Sequence, residues 1–207
     1  MIDAQWLIES LSSFAVFGVA LIIYFETATI LGSFLPGDSL LFLLGLTLAT
    51  VLTDFPLPIA MAIVLVAAVA GAQTGFWVGK KTGPKLFKKE HGWFFTTKTV
   101  ERTSQFFDRY GARAIILARF IPIMRALVPM FVAIGGFDAQ RFLRLNIIGG
   151  IAWVVGLMTI GYALGNVTWV KQNIELAVII FVVISSLPLP FELIREARTR
   201  RLAKRQS

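Results

Sequence analysis

Residues 118–136 constrain this chain more than any other stretch. They are apolar enough to enter a bilayer, yet they carry Arg119 and Arg125, are interrupted by Pro122 and Pro129, and close on Gly135-Gly136. A plain membrane span has no use for these residues. Ionisable side chains at membrane depth are costly and mark a path or a charged ligand. The segment is therefore expected to dip into the membrane and turn back, facing a second broken segment that carries acids.

The rest of the chain sets the context. Of 207 residues, 57% are hydrophobic, and the mean hydropathy is +0.76, which points to a single membrane domain rather than a soluble globule. The chain has no cysteine, which excludes a disulfide framework, a thiolate metal site and a Cys nucleophile. The net charge of +8 would suit nucleic acid, but no Lys or Arg precedes Lys80. Such a skew is a topology signal, so no nucleic-acid partner is expected. His91 is the only histidine and no second ligand lies near it, so neither a metal nor a cofactor is expected. The N-terminus lacks the basic region of a signal peptide and reads as part of the mature protein.

Taken in order, residues 1–14 read as a short interfacial helix with Trp6, Leu7, Leu11 and Phe14 on one side. An apolar run to Phe25 then meets Glu26, Gly32, Pro36, Gly37 and Asp38. The apolar piece at 40–52 is shorter than the ~20 residues of a straight span. It reads as the second arm of a re-entrant hairpin with Pro36 and Gly37 at its tip, tolerable only where protein or trapped water surrounds it. Residues 59–79 form a clear span rich in Ala and Gly, which lets helices approach closely. Those small-residue faces also suit a homodimer. Gln73 and Thr74 near its end are expected to make helix-to-helix hydrogen bonds. Residues 80–113 form a basic cytoplasmic segment, with a helix expected over 97–110. Two further spans follow, at 145–164 and 174–194, and then a basic tail; the last span and tail together make a unit over 172–207.

Charge arithmetic makes residues 114–136 re-entrant. Two spans return the chain to its starting side, so the 138–144 connection, with Arg141 and Arg144, lies with the tail in the cytoplasm. Arg113 and Arg141 then flank 114–136 on one side. A short echo supports pairing: Phe34-Leu35-Pro36 precedes Asp38 as Phe120-Ile121-Pro122 precedes Arg125, and each precedes a span. Paired interrupted segments point to a midplane site between inverted repeats. The expected fold is an all-α polytopic membrane protein with two inverted re-entrant helical hairpins, in units 25–79 and 114–165, plus transmembrane helices.

With these residues in hand, the chain resembles the DedA family, whose shared module is the VTT or SNARE-associated domain. The resemblance rests on Phe25-Glu26-Thr27, the run from Gly32 through Pro36-Gly37-Asp38-Ser39 to Phe42, and Phe106-Phe107-Asp108-Arg109-Tyr110-Gly111. It continues in Ala118-Arg119-Phe120-Ile121-Pro122-Ile123-Met124-Arg125, Gly135-Gly136-Phe137, and the segment from Asn146 to Trp153. It implies that Glu26 and Asp38 are the functional acids and Arg119 and Arg125 the functional arginines. It also implies movement of undecaprenyl phosphate or phosphatidylethanolamine across the bacterial inner membrane, driven by the proton-motive force. One departure is visible: many members carry Gly-Asp followed by Gly-Tyr where this chain has Gly71-Ala72-Gln73-Thr74-Gly75-Phe76.

Several roles stay open at this level. Arg119 and Arg125 suit a lipid phosphate, because a guanidinium donates parallel hydrogen bonds and keeps its charge. They equally suit neutralisation of Glu26 and Asp38. Those acids are candidates for proton coupling, since burial and a neighbouring arginine act on them in opposite senses. Asp38 is also placed to cap the following helix. Pro36, Gly37, Pro122 and Pro129 either expose backbone to a path or only shape the bends. Trp6, Trp93, Trp153 and Trp169 read as interface anchors or packing residues. The leading function is a non-enzymatic lipid translocase for undecaprenyl phosphate. Phospholipid flippase or scramblase, proton-coupled ion or solute transporter, intramembrane phosphatase and scaffold are the alternatives. The phosphatase is disfavoured because His91 has no accompanying nucleophile constellation.

Overall fold

The computed structural model describes residues 4–29, 32, 35–86, 111–173 and 176. The expected helix over 97–110, His91, the 174–194 span and the basic tail lie outside the described residues, as does most of the 80–113 segment. What is described is helical throughout, as the apolar runs require.

Helix α1 (Ala4–Ala28) is unbroken. The expected separate helix over 1–14 is instead its first part, because no proline interrupts it and Gly18 is its only glycine. The chain bends through Pro36 into α2 (Gly37–Thr50), turns, and enters α3 (Leu57–Leu86), whose first turn accommodates Pro58. The second half begins with a 3-10 turn (Gly111–Arg113), a single helical turn α4 (Ala114–Leu117) and another 3-10 turn (Ala118–Phe120). At Ile121 the backbone is extended, and Pro122 opens α5 (Pro122–Ile134). An X-Pro step disfavours helix at its first residue, so the break falls one position before the proline.

Helix α5 closes on the glycine pair. Gly136, at φ +76°, donates to Ala133, and Phe137 donates back to Val132 at 2.9 Å, a double bond pattern that needs a left-handed residue at this point. Asp138 then caps α6 (Ala139–Gly165) by accepting from the Arg141 N–H at 2.8 Å. The expected connection after 165 contains one more turn, α7 (Thr168–Gln172). Among the described residues, Leu57–Thr82 and Ala139–Gly165 are long and apolar enough to cross a membrane.

The packing exchanges the two halves. The element before each break lies on the long helix of its own half, α1 on α3 and α4 on α6. The helix after each break lies on the long helix of the other half, α2 on α6 and α5 on α3. One core cluster joins Val16, Ala20 and Ile23 of α1 with Ala60, Val64 and Ala68 of α3, Leu41 and Leu44 of α2, and Trp153 and Met158 of α6. A second joins Ala72 and Phe76, Ile115 and Ala118, Val128 and Val132, and Phe142, with the Phe76 and Phe142 rings stacked at 4.8 Å.

These exchanged contacts depend on missing side chains. A Cβ on Gly79 of α3 would stand 2.6 Å from Met130 Cα of α5. Between α1 and α3, Tyr24 Oη and Thr74 Oγ1 lie 3.1 Å apart, the helix-to-helix bond expected of Thr74. Such interhelical bonds contribute about 0.6 kcal/mol, so Tyr24→Phe should lower the unfolding midpoint in detergent micelles by no more than about 2 °C.

Candidate functional site

The first break sets an acid from the end of one helix against the start of another. Glu26 is in the last turn of α1 and is 0% exposed, and the Gly37 N–H, at the first position of α2, donates to its Oε1 at 3.3 Å. A Cβ on Gly37 would land on the Glu26 carboxylate, so glycine here leaves the room that the carboxylate occupies. Asp38 follows in the first turn of α2, where a negative charge is favoured by the helix dipole. The N-cap position is Pro36 and not Asp38. The capping role is therefore overturned: the carboxylate reaches sideways to α5 and α6 instead.

The second break supplies the cation. Arg125 lies one turn into α5, where the dipole disfavours a positive charge, and it is 4% exposed. Its guanidinium forks to both acids. Nη1 donates to Asp38 Oδ1 at 2.9 Å, and Nη2 donates to Glu26 Oε1. Trp153, in the middle of α6, completes the cluster. Its Nε1–H donates to the same Asp38 Oδ1 at 2.7 Å, and its ring lies 4.3 Å beneath the Arg125 guanidinium. One buried fork thus ties α1, α2 and α5 together over an aromatic plate from α6.

Arg119 does something different. It is 3% exposed, and Nη2 donates to the Ala68 carbonyl at 3.2 Å and to Asn146 Oδ1. The Asn146 amide in turn donates to the Val69 carbonyl at 3.0 Å. No carboxylate pairs with Arg119 among the described residues, and its Nη1 has no hydrogen-bond partner. The structure thus splits the expected four-charge site: Glu26, Asp38 and Arg125 form one cluster, while Arg119 rests on neutral acceptors.

The two arginines meet across a small cavity. It is lined by Arg119, Arg125 and Asn146, with Ala72, Phe142, Pro129 and neighbouring apolar side chains, and its volume of ≈ 10 Å³ is about that of one water. Of the four residues expected at hairpin tips, Pro36, Gly37 and Pro122 stand at the breaks. Pro129 sits inside α5, where its buried ring helps wall the cavity.

Sequence reasoning passed over Trp153 and Asn146 as site residues. Their spacing of seven sets both on one face of α6, with Gly149 and Gly150 between them. A Cβ on Gly149 would stand 3.2 Å from Ile116 Cα and one on Gly150 3.1 Å from Leu65 Cδ1, so the glycines let α4 and α3 close on this face of α6. A polar residue and a Trp seven apart around a Gly pair, inside an apolar run, is the signal that could have found them.

A buried ion-pair cluster where two helix breaks meet, between two apolar helices of spanning length, defines a helical protein built around buried charge. Residues 35–163 match the VTT domain, and the chain belongs to that family. It is 34% identical over 178 residues to Protein DedA of Escherichia coli K12, covering 86% of this chain and 81% of DedA. It is 39% identical over 186 residues to an uncharacterized membrane protein of Mycobacterium tuberculosis H37Rv, covering 90% of this chain and 82% of that protein. Inner membrane protein YghB of Escherichia coli K12 is 35% identical over 153 residues, covering 73% of this chain and 68% of YghB. No solved structure matches the chain.

Proposed function

We propose that the chain is a non-enzymatic lipid translocase of the bacterial inner membrane that moves undecaprenyl phosphate across the bilayer. In this reading the two broken segments are re-entrant hairpins entering from opposite sides, and the basic segments around 80–113 and after 194 face the cytoplasm. The observation that carries the proposal is the pair of buried arginines at the break of the second half, of which only one is held by carboxylates. A phosphate at the end of an apolar chain needs parallel charge-assisted donors and a low-dielectric surround, and two guanidiniums supply both. Arg119, with a free Nη1, makes the first contact. Arg125 joins when Glu26 and Asp38 release it, and a proton on either acid would do so, which couples transport to a proton gradient.

Asp38 favours a second reading. Its side chain is 35% exposed, the one acid of the cluster open enough to take a cation. A zwitterionic headgroup, phosphate on the arginines and ammonium on Asp38, would suit phosphatidylethanolamine. Transport in proteoliposomes separates the two. Arg119→Lys keeps the charge and loses the fork, and should slow undecaprenyl phosphate transfer roughly 10- to 100-fold. Unchanged rates would remove both readings, whereas loss confined to phosphatidylethanolamine would select the second.

A further inference from the structure

The Arg119 side chain poses an electrostatic problem that the lipid reading leaves open. A guanidinium remains protonated when buried, and Arg119 is 3% exposed. Its acceptors, the Ala68 carbonyl and the Asn146 amide oxygen, are dipoles and carry no net charge. The charge that acts on it most is Arg125, of the same sign. The Arg125 fork holds Glu26 Oε1 and Asp38 Oδ1, so these carboxylates pair with Arg125 and not with Arg119. The cavity between the arginines is lined by both cations, one amide and apolar side chains, with no acid among them. One guanidinium nitrogen, Arg119 Nη1, is buried without an acceptor. Two guanidiniums of like charge, an unused donor and a small cavity therefore coincide.

We infer that this cavity is a site for a monovalent inorganic anion of halide size, chloride in the cell, seated between Arg119 and Arg125 as the counter-charge of Arg119. The space selects the class of ligand. It holds about one water; chloride is larger than water and seats with a small outward shift of the apolar side chains, whereas a phosphate with four oxygens does not fit without moving α5 from α3. The anion accepts the idle Nη1–H and separates two like charges, and the apolar walls of Ala72, Val128 and Phe142 suit a weakly hydrated ion. The resting protein is thus a halide-bound form, and the inference stands whether or not a lipid is the cargo.

The test uses the full chain in detergent micelles, with unfolding midpoints measured in sodium chloride, sodium bromide and sodium gluconate at equal ionic strength. Both halides should raise the midpoint over gluconate, saturably, by about 4 °C at tenfold excess over Kd. Arg119→Gln should remove the difference between salts. Ala72→Asp, which supplies a carboxylate from the cavity wall, should remove it as well and raise the midpoint in gluconate. Equal wild-type midpoints in all three salts, meaning water only in the cavity, would overturn the inference. So would a halide shift of full size in either variant, and if one variant does not fold the other decides. Transport by Arg119→Lys bears only on the lipid reading, so either idea can fail alone.

Discussion

Arg125→Ala is expected to destabilise the protein by about 3–5 kcal/mol, the cost of stranding buried charge when one partner of a buried pair is removed. Glu26 is 0% exposed and its remaining contact would be the Gly37 N–H. Asp38 would keep its bond from Trp153 and some contact with the surroundings, so the larger part of the cost falls on Glu26. The unfolding midpoint in micelles should drop by about 10 °C. A combined variant, Glu26→Gln with Asp38→Asn and Arg125→Met, removes all three charges at similar volume and should recover most of the loss, because a neutral replacement strands nothing. If Arg125→Ala costs less than about 1 kcal/mol, the fork is not the contact that joins the halves, and the ion-pair account of the site falls.

Much of this site was legible in the sequence, but not its wiring. Pro36 and Pro122 announced the breaks because proline disfavours a helical predecessor and removes a donor. Charges in apolar runs announced Glu26, Asp38, Arg119 and Arg125 as interior groups. Hydropathy says how deep a residue lies and not which neighbour it meets. Asp38 therefore read both as a charge partner of the arginines and as a cap, with no sign of its bond from Trp153, and the two arginines read as equivalent when only Arg125 holds carboxylates. Trp153 read as an interface anchor or a packing residue; it is 1% exposed and packs in the core, but its place beneath Arg125 had no signal of its own. The unbroken α1 was missed for another reason: an amphipathic start and an apolar finish differ in composition, while backbone continuity depends on breakers, and no proline interrupts α1. The exchange of halves, α2 on α6 and α5 on α3, has no local signature, since each helix alone is an ordinary apolar segment.

That exchange rests on backbone contact between α2 and α6, and Gly161 is where it is closest. A Cβ on Gly161 would collide with the Phe42 carbonyl, and one on Gly45 would collide with the Met158 backbone across the same interface. Neither obstacle is a side chain that can swing away, so any substituent must separate the helices. Gly161→Ala should cost about 3 kcal/mol, the upper end for overpacking, and Gly161→Leu more. Gly156, on the same helix, is the internal control: nothing stands within 4 Å of its Cβ position. Gly156→Ala should therefore stabilise by about 0.5–1 kcal/mol, since alanine replaces glycine inside a helix at no steric cost. The same displacement reaches the site, because α2 carries Asp38 and α6 carries Trp153. Separating them lengthens the 2.7 Å bond between Trp153 Nε1 and Asp38 and loosens one arm of the Arg125 fork. Under the proposed translocase function, Gly161→Ala is accordingly expected to slow lipid transfer in proteoliposomes as well as to lower the unfolding midpoint, while Gly156→Ala leaves transfer unchanged. Equal stability of the two variants would mean that α2 and α6 do not pack through Gly161, and the exchanged architecture would have to be abandoned.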